Sequence, residues 1–200
     1  MATQHIRSWA VLGLLLWLPA LPVLAHSDHG QAGGFLAGLL HPVGGLDHVL
    51  AMLAVGLWGA QLGSSALWVL PVAFPMVMAF GGFLALIGIP LPGVELGIAL
   101  SGVVLGAAVL GALRPPLLAA AVIVALFAIF HGHAHGVELP AGADGLAYSI
   151  GFVVSTGLLH AAGIVLGLLQ RLPHGQQAIR GMGAAIGLGG VYFLGSVMAG

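Results

Sequence analysis

Only nine of the 200 residues carry a formal charge, four Arg and five acids with no Lys, and the stretches between them are long and apolar. That spacing limits the possible folds more than any other feature. Soluble domains carry about 25% charged residues, whereas here the charged share is 4% and the hydrophobic share 60%. So few charges cannot solvate the surface of a soluble protein this size, so the solvent for most of the chain is lipid. In lipid every backbone N–H and C=O must be satisfied within the protein, and apolar stretches of roughly 20 residues achieve this as helices. The expectation is an all-α integral membrane protein.

Breaks at Gly63-Ser64, Pro90 to Pro92, Arg114-Pro115-Pro116, the 137–143 loop and Arg171 to Gln177 divide the chain into six expected spans: 34–62, 65–89, 93–113, 116–136, 144–170 and 177–198. Ahead of them, Met1 to Ala25 holds one cation (Arg7), an apolar run from Trp9 to Leu18 too short to span, then Pro19, Pro22 and a short-side-chain site at Val23-Leu24-Ala25. This reads as a cleavable secretory signal peptide. Residues 26–200 are then expected to form one six-helix transmembrane domain whose N-terminus lies on the outer face. From that start, the Arg114 loop and the loop of Arg171 and Arg180 fall in the cytoplasm, while Glu138 and Asp144 fall outside. The positive-inside rule asks for this same distribution. The 34 Gly suit close packing of membrane helices.

Several function classes drop out. There is no Cys for thiolate chemistry, no G-x-x-x-x-G-K-[ST] for a nucleotide, and a net charge of -1 gives nucleic acid no footprint. No organic cofactor is expected. Ten His and five acids remain, and a charged group within a span costs a few kcal/mol, so it reads as functional. His41, Asp47 and His48 lie in the first span, and Glu95 opens the third. His131, His133, His135 and Glu138 close the fourth, and His160 sits in the middle of the fifth with Thr156 one turn earlier. Alternating topology should bring the polar groups of these four spans to the same outer half of the membrane.

On an unbroken helix His41 and His48 would share a face, with Asp47 about 100° to one side. Pro42 and Gly44-Gly45 argue instead for a break, which membranes tolerate where backbone lines a site. His131, His135 and Glu138 follow an i, i+4, i+7 stripe, from which His133 points away. Imidazole with carboxylate and no thiolate suits Ni(II), Zn(II), Co(II) or Cu(II). Structural alternatives stay open: a packing His–Asp pair in the first span, a solvated His cluster ending the fourth, and Glu95 placed by the helix dipole. His160 has a packing alternative with Thr156 as its hydrogen-bond partner, and His26 and His29 read as a disordered tail.

The run His41-Pro42-Val43-Gly44-Gly45-Leu46-Asp47-His48, followed by Leu50-Ala51-Met52, resembles the H-x5-D-H signature of the HupE/UreJ family. Phe130-His131-Gly132-His133-Ala134-His135-Gly136-Val137-Glu138 resembles its second signature, F-H-G-x-A-x-G-x-E. The resemblance implies a nickel, sometimes cobalt, permease serving hydrogenase or urease maturation, with Ni2+ or Co2+ as transported substrate and cytoplasmic metallochaperones as partners. It implies metal roles for His41, Asp47, His48, His131 and Glu138 and supports Glu95. His160 joins these from its place in the fifth span. His135 and His133 fall at open positions of the signature and, with Thr156, rank below the others. The ion would pass from periplasm to cytoplasm near His160 and Thr156, driven by its gradient or the membrane potential.

Two other classes compete. One is a non-transporting membrane metal-binding scaffold or sensor for metalloenzyme assembly. The other is an intramembrane hydrolase pairing Ser101 with His160, but Ala99 stands where G-x-S-G needs its first Gly, and there is no H-E-x-x-H. An enzyme is not expected.

Overall fold

The break expected in the first span is present and divides it into two helices. The computed structural model describes residues 33–63, 65–139 and 142–199; the expected signal peptide, with His26 and His29, lies outside them. Helix α1 (Gly33–Gly44) and helix α2 (Leu46–Leu62) meet at Gly45 and are bent by 82°. Gly45 is extended, at φ -102 and ψ 113. Pro42 stays inside α1. A proline removes one backbone bond yet holds a helical φ, so the chain turns three residues later, where two glycines offer no Cβ to resist it.

Five further helices follow: α3 (Ala66–Leu86), α4 (Val94–Gly111), α5 (Leu117–Val137), α6 (Gly145–Gly167, continued by a 3-10 turn at Leu168–Arg171) and α7 (Gly175–Ala199). Each of α3 to α7 is long and apolar enough to cross a membrane, and the bent pair α1–α2 makes a sixth if it counts as one span. Their ends lie close to the expected breaks for local reasons. Pro116 precedes α5, and Asp144 caps α6 by accepting from the backbone N–H of Leu146 at 2.9 Å and of Ala147 at 3.1 Å.

Helix α2 is the centre of the bundle. From Ala54 to Gln61 every residue is buried, as expected of a helix apolar on all sides. It packs against α3, α4, α6 and α7, while α3 pairs with α5, α4 with α7, and α1 with α6. Glycine permits two of these pairings. A Cβ on Gly132 would run into the Met78 carbonyl across α3–α5, and one on Gly106 into the backbone of Gly187 across α4–α7. Outside, Trp68, Met76, Phe80 and Phe83 of α3 and Leu188, Val191 and Tyr192 of α7 stand exposed, the apolar surface that lipid covers.

The C-terminal end of α2 is tied to α4. Trp58 Nε1–H donates to the Leu113 carbonyl at 2.9 Å and Gln61 Nε2 to the Val109 carbonyl at 3.0 Å, while Arg180 of α7 donates to Leu110 at 2.8 Å. These carbonyls lie in and just past the last turn of α4, where the regular i+4 donors run out, although Val109 also accepts from the Ala112 backbone N–H at 3.1 Å. With that end anchored, the N-terminal end of α2 carries Asp47 and His48 beneath the last turns of α5.

Candidate metal site

A cavity of about 340 Å³ opens at the α1–α2 bend, lined by His41, Gly44, Gly45, Asp47, His48, Glu95, Ile98, His131, Ala134, His135 and Glu138. The bend is what turns both His41, near the end of α1, and His48, in the first turn of α2, into it. Helix α5 supplies His131 and His135 one turn apart and ends at Glu138. Glu95 enters from the first turn of α4.

Two overlapping groups of side chains could hold a metal ion: His48, His131 and His135, and His41, His135 and Glu138, each with its ligand atoms within 4.8 Å of one another. His135 belongs to both. In the buried group, His48 Nδ1 lies 3.1 Å from His131 Nδ1 and 3.1 Å from His135 Nε2. One imidazole nitrogen carries a single proton or a single lone pair, so His48 Nδ1 cannot serve both neighbours fully as a hydrogen-bond partner. A cation can take all three. Nitrogens bound to one ion at about 2.0–2.1 Å stand roughly 3 to 4 Å apart, and the observed spacing is of that order. In the outer group, Glu138 Oε2 lies 2.9 Å from His41 Nε2 and 3.2 Å from His135 Nδ1.

Aromatic rings wall the imidazoles. The Phe152 ring centroid is 4.5 Å from that of His135, 5.6 Å from His48 and 6.3 Å from His41. This wall limits ring rotation and keeps the local dielectric low. Glu138 lies at the rim, just past α5. The imidazole of His135, with help from His41, holds its carboxyl down at about 2, against the partial burial that raises it. It therefore stands ionised beside the histidines.

Of the residues expected to bind metal, His41, Asp47, His48, Glu95, His131 and Glu138 line this cavity, and so does His135. Asp47 and Glu95 stand outside both three-residue groups. Asp47 Oδ1 accepts from the His48 backbone N–H at 2.7 Å. Each acid sits in the first turn of a helix, so for Glu95 the dipole reading and the site reading describe the same placement. His133 faces away, and its Nε2–H donates to the Ile89 carbonyl at 2.9 Å.

The expected convergence of four spans is a convergence of three. His160 and Thr156 do not line the cavity. His48 lies level with Phe152 of α6, at 5.6 Å between ring centroids, and His160 follows eight residues further along that helix, about 12 Å deeper along its axis. His160 packs on Phe74, at 5.5 Å between ring centroids. Nor does Thr156 bond to it: the Thr156 hydroxyl and both ring nitrogens of His160 are buried without a hydrogen-bond partner.

Two features of the site go beyond the sequence motifs. His135, open in the signature, is the residue shared by the two groups; its i, i+4 spacing from His131 was the available signal. Ser101, weighed only as a nucleophile beside His160, instead meets His131, with Oγ 2.9 Å from Nε2. No local pattern points to that contact.

Residues 14–193 match the family described as HupE / UreJ protein. The protein named "Protein HupE" from Rhizobium leguminosarum bv. viciae is 47% identical over 176 residues, which cover 88% of this chain and 92% of that one. No solved structure matches the chain.

Proposed function

The chain belongs to the HupE/UreJ family, and on that premise we propose that it is a permease carrying a divalent transition-metal ion, Ni2+ foremost, from periplasm to cytoplasm for hydrogenase or urease maturation. The observation that supports this most is the sharing of His135 between an exposed and a buried ligand group. Side-chain exposure falls from 53% at Glu138 and 29% at His41 to 15% at His135. His48 and His131 are buried. An ion can thus be taken from water by the rim group and handed to the buried group with one ligand held throughout.

Each step follows from the donor set. A hydrated ion meets the ionised Glu138 first and exchanges waters for imidazole nitrogens, ligands that suit Ni(II) and Co(II) alike. Asp47 and Glu95 add negative charge around the buried group and lower the expense of a dipositive ion in low dielectric. Deeper passage leads by His160 and Thr156, toward metallochaperones on the cytoplasmic side. The driving force is the gradient and the potential: a charge of two crossing 100 mV gains about 4.6 kcal/mol, enough for roughly thousandfold accumulation. Binding must stay weak enough for release.

The test is flux into proteoliposomes holding the full chain, with Ni2+, Co2+ and Zn2+ measured in parallel. Ni2+ should enter, and His48→Ala and Asp47→Asn should each abolish its entry. Undiminished flux in both variants overturns the permease reading, and metal binding without flux favours the scaffold.

A further inference from the structure

We infer that Ser101 is a positioning residue for the metal site: its hydroxyl holds His131 in one tautomer and orientation, so that His131 Nδ1 faces the cavity as a free lone pair. The inference deepens the metal-binding reading above and rests on it.

The argument is one of proton counting. Ser101 lies on α4 with no solvent exposure. Its Oγ is 2.7 Å from the Ile98 carbonyl and 2.9 Å from His131 Nε2. A carbonyl oxygen only accepts, and two oxygens 2.7 Å apart with no proton between them repel. The single hydroxyl proton therefore goes to Ile98, the back-bonding onto the preceding turn that helical serines favour. Toward His131 the Oγ can then act only as an acceptor, so Nε2 must carry the imidazole proton. A neutral imidazole protonated at Nε2 has its lone pair at Nδ1, the atom 3.1 Å from His48 Nδ1.

The relay from His131 Nε2–H to Ser101 Oγ, and from Ser101 O–H to the Ile98 carbonyl, thus decides which nitrogen an ion meets. Ligating histidines generally donate their other ring N–H to an oxygen that sets the tautomer and the ring plane. Here that oxygen comes from a different helix than the ligand. It also leaves the hydroxyl no spare proton, which argues against Ser101 as a nucleophile. An alanine would leave Nε2–H buried without an acceptor and let the proton move to Nδ1, where it would block the ion.

The test uses the full chain in detergent, with 15N-labelled histidine. In metal-free wild type, the His131 signals, identified by their loss in His131→Ala, should show the proton on Nε2. Ser101→Ala should shift that pattern toward Nδ1–H or a mixture, and should weaken Co2+ binding by about 10- to 100-fold with an altered visible spectrum of the bound Co2+. Ser101→Thr, which keeps the hydroxyl, should keep the Nε2–H pattern and most of the affinity. A wild-type His131 protonated at Nδ1 overturns the inference, a result that stands even if Ser101→Ala fails to fold. So does a folded Ser101→Ala protein that keeps both the wild-type pattern and the wild-type Co2+ affinity. A wild type that binds neither Co2+ nor Ni2+ instead overturns the metal reading, and the metal-free spectrum still decides the role of Ser101.

Discussion

His131 and His160 are buried alike and lie against the same Phe74 ring, at 5.7 and 5.5 Å between centroids, yet they live in different chemical surroundings. His131 has a partner at each ring nitrogen, His48 at 3.1 Å and Ser101 at 2.9 Å. His160 has none in hydrogen-bond geometry, and neither has Thr156 one turn before it. The backbone group facing the His160 ring is the Pro71 carbonyl, whose helical donor four residues on is replaced by Pro75. One imidazole sits in a site assembled before any ion arrives. The other has the Pro71 carbonyl beside it and no second side chain to fix its tautomer. Under the permease proposal the two would divide the work: the prepared site would capture the ion, and His160 further in would take it up without holding it tightly.

The largest expected effect separates members of the prepared site from their near neighbours. His135→Ala removes a ligand from both groups and should weaken Ni2+ binding by at least about a hundredfold in equilibrium dialysis, since losing even a supporting partner of a ligand costs tenfold or more. His133→Ala, two residues away but bonded to Ile89, should leave the affinity unchanged. Equal losses in the two variants would mean that proximity along α5, not membership of the cavity, governs binding.

The next effect distinguishes capture from passage. His160→Ala should keep the equilibrium affinity for Ni2+ and slow proteoliposome flux by about tenfold, the equivalent of about 1.4 kcal/mol on the barrier. His131→Leu should also lower the melting temperature, by stranding the Ser101 and His48 contacts. If His160→Ala weakens binding as much as His135→Ala does, the two regions form one site.

What could be read from the sequence follows the range of each interaction. The apolar spans, the capping Asp144 and the i, i+4 pairing of His131 with His135 are local patterns, set within one helix or one turn. The likeness to two signatures selected most of the cavity lining before any geometry was known. The rest depends on distant contacts. His41 and Glu138 are separated by 97 residues and Ser101 and His131 by 30, and no spacing rule marks such pairs. The depth of His160 is similar: its span is evident, but its level relative to the α1–α2 bend is set by how α6 packs on α2. Pro42 and the glycines mark the break to within a few residues, yet only the packed structure places it at Gly45.

The smallest expected effect belongs to the rim. Glu138 is held from its ordinary 4.5 down to about 2, first by the His135 contact and then by His41, against partial desolvation. A carboxyl lowered in the folded state contributes stability that is complete above its unfolded value and is lost as pH falls through its folded value. The window is therefore from 4.5 down to about 2. The side chain is 53% exposed, so solvent screening keeps the contribution small, and Glu138→Gln should melt only about 2 °C below wild type at neutral pH. That gap should close as pH falls through the window; a gap that persists at the acid end would assign the effect to packing. Because Glu138 stays ionised throughout the range where histidines ordinarily take up protons, it cannot set the pH midpoint of metal binding. Glu138→Gln should lower Ni2+ affinity by a similar factor at every pH from 5 to 8 and leave the midpoint of the binding profile where it was. A shifted midpoint would show that the rim group and the buried group titrate as one unit through His135, and the division between capture at the rim and holding at His48 and His131 would have to be redrawn.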